Sequence, residues 1–403
     1  VEPIDHQRYI HIYNGTFTSR EGKDMNAFSQ LHMRSYLEVE ELAGNLGSLF
    51  AERAGEFDRA GSFVHANYQD LREARFFSLI IPAQLGGGGL SFMQLASIGR
   101  IFAQHCGSTA LAYVMHSHPV ALNVFKHLRG DARASKTLTM LASEELAIAG
   151  TGANDWLLSN GTAEVVDGGY IVNAHKRFVS GAPGAQLLVT SVNCVQGDKT
   201  EVLHFALPIT TQGIRQQTNW DTLGMRATGS NDVILDNVFV PEQSIVARRP
   251  AGEWHAMWDV ILPIAMPLIM STYLGLADTA RRYAMGAVKR DASMAHLLGE
   301  LNNQHVAAEL AVADMIARND NFGFTPSLAN TEATLTRKTL AAIAIRNVVD
   351  MACVIVGGAG FFKCHPLERI ARDVRAAHFH PLPLHKQIPF CGRIVAGLNP
   401  LDA

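Results

Sequence analysis

Apolar residues along this 403-residue chain follow three successive spacings. From Arg34 to about Ala142 the spacing is helical. Tyr36, Val39, Leu42, Leu46, Leu49 and Phe50 recur at three- and four-residue steps, which predicts a helix with one apolar face. The stretch Ile81-Pro-Ala-Gln-Leu-Gly-Gly-Gly-Gly-Leu90 interrupts it, because proline and four successive glycines cannot continue a helix. Helical spacing resumes through Leu95, Ile98, Ile101 and Phe102, and again from Thr109 to Leu128. Between about Ser143 and Ala247 the period falls to two. Tyr170–Asn173, Gln186–Val192 and Val202–Leu207 read as strands, parted by turns such as Asp167-Gly168-Gly169. Several short strands in so small a region predict a sandwich or barrel. After Pro250 the helical pattern returns. Ile261–Met285, Leu297–Asn319 and Leu335–Val356 are long and alanine-rich, which suits an antiparallel bundle.

The predicted organisation is therefore an N-terminal α-helical domain over 34–142, a middle β-barrel domain over 143–247 and a C-terminal helix-bundle domain over 248–403. Residues 1–33 carry neither spacing and end in Leu31-His32-Met33. They read as an expression-derived leader, with the native chain beginning near Met33, or as a tail that wraps a neighbouring subunit. Neither alternative enters the fold argument.

Composition narrows the function classes. A formal net charge of −3 gives no field that would gather nucleic acid or anionic lipid. No apolar run reads as long enough to cross a bilayer uninterrupted, and nothing at the start reads as a signal peptide. The five cysteines are odd in number, scattered and without a CxxC pair, which argues against a disulfide framework and a structural zinc site. A cytoplasmic protein is expected.

The densest motif is Thr222–Pro241. A turn rich in glycine and hydroxyls (Gly224, Thr228, Gly229, Ser230) precedes an alternating strand, Val233–Val240, which stops at a proline. Small residues let backbone N–H groups approach a bound group closely, and the hydroxyls add donors. Alone, the same segment reads equally well as an ordinary turn and edge strand. Further motifs are Ile81–Leu90, Lys176-Arg-Phe-Val-Ser-Gly-Ala182, Val356-Gly-Gly-Ala-Gly-Phe361 and Pro366-Leu-Glu-Arg-Ile-Ala-Arg-Asp373. In this order, within helices, strands and helices, the chain resembles the acyl-CoA dehydrogenase superfamily over about residues 35–400. The resemblance implies a mainly α fold with a central β domain and a C-terminal four-helix bundle. It also implies a homotetramer or homodimer, and a flavin between sheet and bundle.

Site residues follow from the resemblance. Phe178 sits where the family places an aromatic residue against the isoalloxazine, and Ser180 where it places a hydroxyl near N5. If the segment is extended, positions i and i+2 face one side and serve one ring. Thr151 and Gly152, in the loop Ser143–Asp155, become ring or phosphate contacts. Gly357, Gly358 and Gly360 correspond to a loop that a neighbouring subunit lays on the dinucleotide, although a helix C-cap explains them equally well. Arg290 stands near an Arg-x-x-Phe-Gly run that reaches the adenine half of FAD. The phenylalanine and glycine are missing from Met285–Ala292, so both FAD and FMN stay open.

Acyl-CoA dehydrogenation needs an ionised base beside the substrate. Laid over the family pattern, the usual glutamate position falls on Pro381, and the alternative position falls in Leu262–Leu268, which holds no acid. The loop at the first place instead holds His380, eight residues after Arg372, with His378 and His385 nearby. This resembles the superfamily's flavin-dependent monooxygenase branch, where a histidine and a serine matching Ser180 flank the flavin. A neutral imidazole there would take a substrate proton near pH 7 or hydrogen-bond bound oxygen. His116, with His118, would add a second base, although among 17 histidines a surface or capping role is the commoner one. A metal site from His378, His380 and His385 is not expected, since no acid accompanies them. The readings are then a two-component monooxygenase served by a flavin reductase, a dehydrogenase with a displaced base, and a flavin binder without catalysis. The missing carboxylate favours the first, with a mostly apolar pocket.

Overall fold

The computed structural model describes residues 35–152, 155 and 157–402, so the segment 1–33 lies outside the described residues. Five helices come first: α1 (Tyr36–Ala60), α2 (His65–Glu73), α3 (Phe92–Ala103), α4 (Gly107–His127) and α5 (Ala132–Glu144). Helix α1 starts where Ser35 and Glu38 exchange side-chain and backbone hydrogen bonds, and stops at Gly61, whose φ of 61° is left-handed. Its buried face is Val39, Ala43, Leu46, Phe50 and Ala54, whereas Leu49, expected on that face, is exposed. The glycine-rich break folds back on itself so tightly that a Cβ on Gly87 would lie 2.2 Å from the Ile81 carbonyl oxygen.

The middle of the chain forms β1 (Ile148–Gly150), β2 (Thr162–Val166), β3 (Gly169–Lys176), β4 (Leu187–Gln196), β5 (Lys199–Pro208), β6 (Ile214–Gln216), β7 (Val233–Pro241) and β8 (Ile245–Pro250). They make one sheet in the order β6-β7-β3-β2-β4-β5-β8, with β1 added in parallel to β4. The end strands β6 and β8 are not paired with each other, so the barrel is an open one. Its spine is the β4–β5 hairpin, in register from Leu187–Pro208 to Gln196–Lys199. The sheet has its own apolar core, which includes Val172, Leu188, Val192, Phe205 and Val238.

The C-terminal part comprises α6 (Trp258–Val288), α7 (Ala295–Asn319), α8 (Leu328–Val356), α9 (Pro366–Asp373) and α10 (Leu384–Val395). Helix α6 runs through the centre and shares one apolar core with α1, α3 and α4 of the N-terminal helices. Arg100 on α3 clamps this junction. It donates to both oxygens of Asp278 on α6 (2.7 and 2.9 Å) and to Glu309 on α7 (3.0 Å), while His305 meets Asp278 at 2.7 Å. One expectation needs correction. Two helical stretches, Trp258–Val288 and Leu328–Phe361, are long and apolar enough to cross a membrane. Their hydropathy has a packing origin in α6, whose apolar window is 89% buried within the fold; for the second stretch that share is 44%.

Candidate functional site

A cavity of about 1720 Å³ opens between the sheet and the helices. Its apolar wall includes Leu111, Met115 and Leu122 from α4, and Trp258, Leu262 and Ile269 from α6. Thr151, Gly152, Phe178, Ser180 and His380 all line it, so five of the expected site residues meet around one space.

The aromatic and hydroxyl group is built by a turn. Strand β3 ends at Lys176, and Phe178 takes a left-handed φ of 62°. The expected i and i+2 relation along an extended segment therefore does not hold. A kink brings Phe178 and Ser180 to the cavity while Val179 between them is fully buried, its N–H donating to the Asn231 carbonyl (3.1 Å). Phe178 remains 49% exposed, which a core aromatic would not be, and Trp220 meets it edge-on with centroids 6.3 Å apart. Behind them lies a row of hydroxyls. Ser180 Oγ is 2.7 Å from Ser230 Oγ, Ser230 is 2.7 Å from Thr228 Oγ1, and Thr228 donates to the Met225 carbonyl (3.0 Å). The row is fixed from outside the sheet, because the Asp373 carboxylate on α9 accepts the Met225 N–H at 2.5 Å. Burial pushes that carboxyl up to about 6. Gly224 is required at this contact, since a Cβ there would lie 2.3 Å from the Arg372 carbonyl oxygen. Across the cavity wall Thr151 pairs its hydroxyl with Thr190 (2.7 Å). An uncovered ring face beside a hydroxyl row, in a space of this volume, fits what a flavin needs of a protein: an apolar partner for its rings and polar groups at its edge.

Arg290, Gly357, Gly358 and Gly360 do not line this cavity. Arg290 is exposed beyond the end of α6. Gly357, with φ 69°, closes α8 and donates its N–H to the Cys353 carbonyl, as in the C-cap alternative. A Cβ on Gly357 or Gly358 would meet nothing within 4 Å, while Gly360 packs against Leu367 and Val356.

On the bundle side, His380 Nε2 lies 2.7 Å from the hydroxyl of Tyr273, a fully buried residue of α6. Burial, the Lys338 ammonium and the neighbouring His118 hold His380 down at about 3. The imidazole is therefore neutral near pH 7, as expected, and its lowered pKa suits it to hydrogen bonding more than to holding a proton. Lys338 of α8 is itself 1% exposed, donates to the Leu382 carbonyl at 3.0 Å, and is lowered by burial to about 8. His116 does not line the cavity. Its Nε2 meets the Phe77 carbonyl at 2.9 Å and its Nδ1 accepts the Ile148 N–H at 2.9 Å, so both nitrogens are committed to backbone and none is left for a second base. His118 does reach the cavity, with burial lowering it to about 4.

Two carboxylates stand among the described lining residues, Asp155 and Asp402. Asp155 accepts from the buried Lys176 ammonium at 2.9 Å, and Asp402 pairs with Arg393 at 3.3 Å. Arg249, 1% exposed, donates to the carbonyls of Leu157 (2.7 Å) and Asp155 (2.8 Å) and to His204 Nε2 (3.1 Å). These contacts hold Asp155 and Leu157 against the sheet. Tyr273 and Lys338 were missed from sequence because each sits in an apolar helical stretch, where an aromatic reads as core and a lysine as surface.

The acyl-CoA dehydrogenase N-terminal, middle and C-terminal domain families match residues 46–153, 122–238 and 271–382. The chain belongs to the acyl-CoA dehydrogenase family, whose members are flavin-dependent oxidoreductases. Among curated relatives, the Bacillus subtilis (strain 168) protein YdbM, named as an acyl-CoA dehydrogenase, is 27% identical over 85% of this chain and 92% of its own length. The amino sugar nitrososynthase DnmZ of Streptomyces peucetius is 26% identical over 84% of this chain and 88% of its own. The dibenzothiophene monooxygenase TdsC from Paenibacillus sp. A11-2, solved also with FMN bound, superposes with a TM-score of 0.77. It is 19% identical and covers 89% of this chain and 97% of its own, a likeness that establishes the fold.

Proposed function

We propose that this protein is a flavin-dependent monooxygenase that uses dioxygen and a reduced flavin, FMN or FAD, delivered by a separate reductase, on a small apolar or aromatic substrate. The observation that carries the reading is the cavity wall. Where acyl-CoA dehydrogenation needs an ionised carboxylate over the flavin, the described wall offers His380, and its two carboxylates are engaged in ion pairs. The name of the nitrososynthase relative supports the same direction.

A bound reduced flavin would supply the electrons that activate dioxygen. The protein's own part is binding and exclusion. Phe178 takes the ring face, Ser180 the N5 edge, and Thr151 with Gly152 the polar rim. His380 hydrogen-bonds oxygen or substrate without carrying charge. The wall of leucine, methionine and tryptophan side chains keeps water away and suits an apolar substrate. A homo-oligomer, tetramer or dimer, is part of the proposal, supported by Phe361 (87% exposed) and Phe362 (66% exposed) beside Gly357–Gly360.

Stopped-flow oxidation tests the reading. Reduced flavin bound to the protein, mixed with oxygen, is expected to show a transient absorbance distinct from both oxidised and reduced flavin before full reoxidation. Bleaching of the oxidised holoprotein by an acyl thioester would establish a dehydrogenase instead. His380→Ala is expected to slow product formation with flavin affinity near normal; equal losses in both would make His380 structural.

A further inference from the structure

A neutral imidazole carries its proton on one of two nitrogens, and the choice decides whether a ligand meets a donor or an acceptor. We propose that Tyr273 locks His380 as the Nδ1–H tautomer, so that the ring presents a hydrogen-bond donor to the cavity and recognises a ligand atom with a lone pair. Such atoms include a bound oxygen species and the sulfur, nitrogen or carbonyl oxygen of a substrate. The nature of that ligand rests on the proposed monooxygenase; the tautomer does not.

The argument starts at the phenol. Tyr273 is 0% exposed, and burial together with the nearby Asp373 carboxylate holds its pKa far above the usual tyrosine value. It therefore keeps its proton and must place it. Among the described residues its hydroxyl has one hydrogen-bond partner, His380 Nε2 at 2.7 Å. If Nε2 carried a hydrogen, two donors would face each other or the hydroxyl would be left without an acceptor in the core. The penalty for an unsatisfied buried hydroxyl corresponds to roughly a 5- to 150-fold preference for the other tautomer. Nε2 is thus the acceptor and the proton sits on Nδ1, which has no partner among the described residues while the ring lines the cavity.

The surroundings keep the ring in this form. It is faced by His118 from α4, Tyr273 from α6 and Lys338 from α8, and the Asp373 carboxylate lies behind the tyrosine. None of the three groups that face the ring is an acid, so none favours an imidazolium. Lys338 also holds the Leu382 carbonyl, two residues along, which fixes the segment that carries the ring. Tyr273 is in this sense a positioning residue. It touches no ligand and acts through the imidazole.

Nitrogen-15 NMR of histidine-labelled protein reads the tautomer directly, with the His380 signals assigned by their loss in His380→Gln. Between pH 6 and 8 we expect Nδ1 protonated and Nε2 bare in wild type. In Tyr273→Phe the constraint is gone, and part of the Nδ1–H population should move to Nε2–H. A protonated Nε2 in wild type, an imidazolium at neutral pH, or an unchanged tautomer in Tyr273→Phe would each overturn the assignment. The wild-type measurement suffices if the variant does not fold. A wild-type Nδ1–H signal without any transient on reoxidation would sink the monooxygenase and leave the tautomer standing.

Discussion

Replacing Lys338 by methionine should abolish one pH dependence of stability, and its size follows from the structure. The ammonium is 1% exposed, its hydrogen bond goes to a carbonyl, and no carboxylate pairs with it among the described residues. Its pKa falls from 10.5 to about 8 on folding, through burial. At 1.36 kcal/mol for each factor of ten, the buried charge costs about 3 kcal/mol. The sign is fixed by proton uptake. Between pH 8 and 10.5 the unfolded chain holds this proton and the folded chain does not, so stability rises with pH across that window. Below pH 8 the cost is present in full. Methionine has similar length and no charge, so it removes the cost and forfeits a charge-assisted hydrogen bond worth about 1.5–3 kcal/mol. The variant should be more stable than wild type by up to about 2 kcal/mol at pH 7, and should lose that advantage as pH rises towards 10.5. Urea unfolding followed by circular dichroism measures the difference between pH 8 and 10.5, where the imidazoles that Lys338 depresses, His378 and His380, are already neutral and the remaining titrating groups cancel. Parallel stability curves for the two proteins would refute the reasoning, because a solvated or paired ammonium gives no such slope.

Two further predictions concern other parts of the molecule. Phe178→Ala should weaken flavin binding by about tenfold, since an aromatic contact adds ~0.5–1.5 kcal/mol beyond burial. The melting temperature should barely move, because the ring is half-exposed; fluorescence titration with flavin and a thermal melt together check this. Gly275→Ala should destabilise by about 1–3 kcal/mol or more, because its Cβ would meet the Arg100 carbonyl oxygen at 2.2 Å where α3 and α6 cross, and denaturant unfolding reads the loss.

What the sequence could disclose divides along physical lines. The order helices, strands, helices is written in spacing alone, because each element needs one apolar face whatever its neighbours are. The hydroxyl turn at 228–230 was visible as a turn before a strand, and the family resemblance rather than its residues gave it a binding role. The conformation of Phe178 was not. Its left-handed backbone depends on Val179 being drawn into the sheet core, a long-range effect that a local alternation rule reads as continued strand. His116 shows the same limit from the other side. In sequence it is a histidine beside another histidine, and only the fold reveals that the Phe77 carbonyl and the Ile148 amide use up both its nitrogens. Tyr273 meets His380 across 107 residues of chain, a distance at which no motif operates.

The Arg100 clamp bears on how ligands come and go. An arginine that holds carboxylates on two different helices at once resists separation of those helices, because parting them would strand charges that are only partly solvated. The two helical portions are thus fastened to each other behind the cavity. A ligand that needs more room would find give on the sheet side, where Leu158 and Val246 line the cavity and stay 58% and 41% exposed.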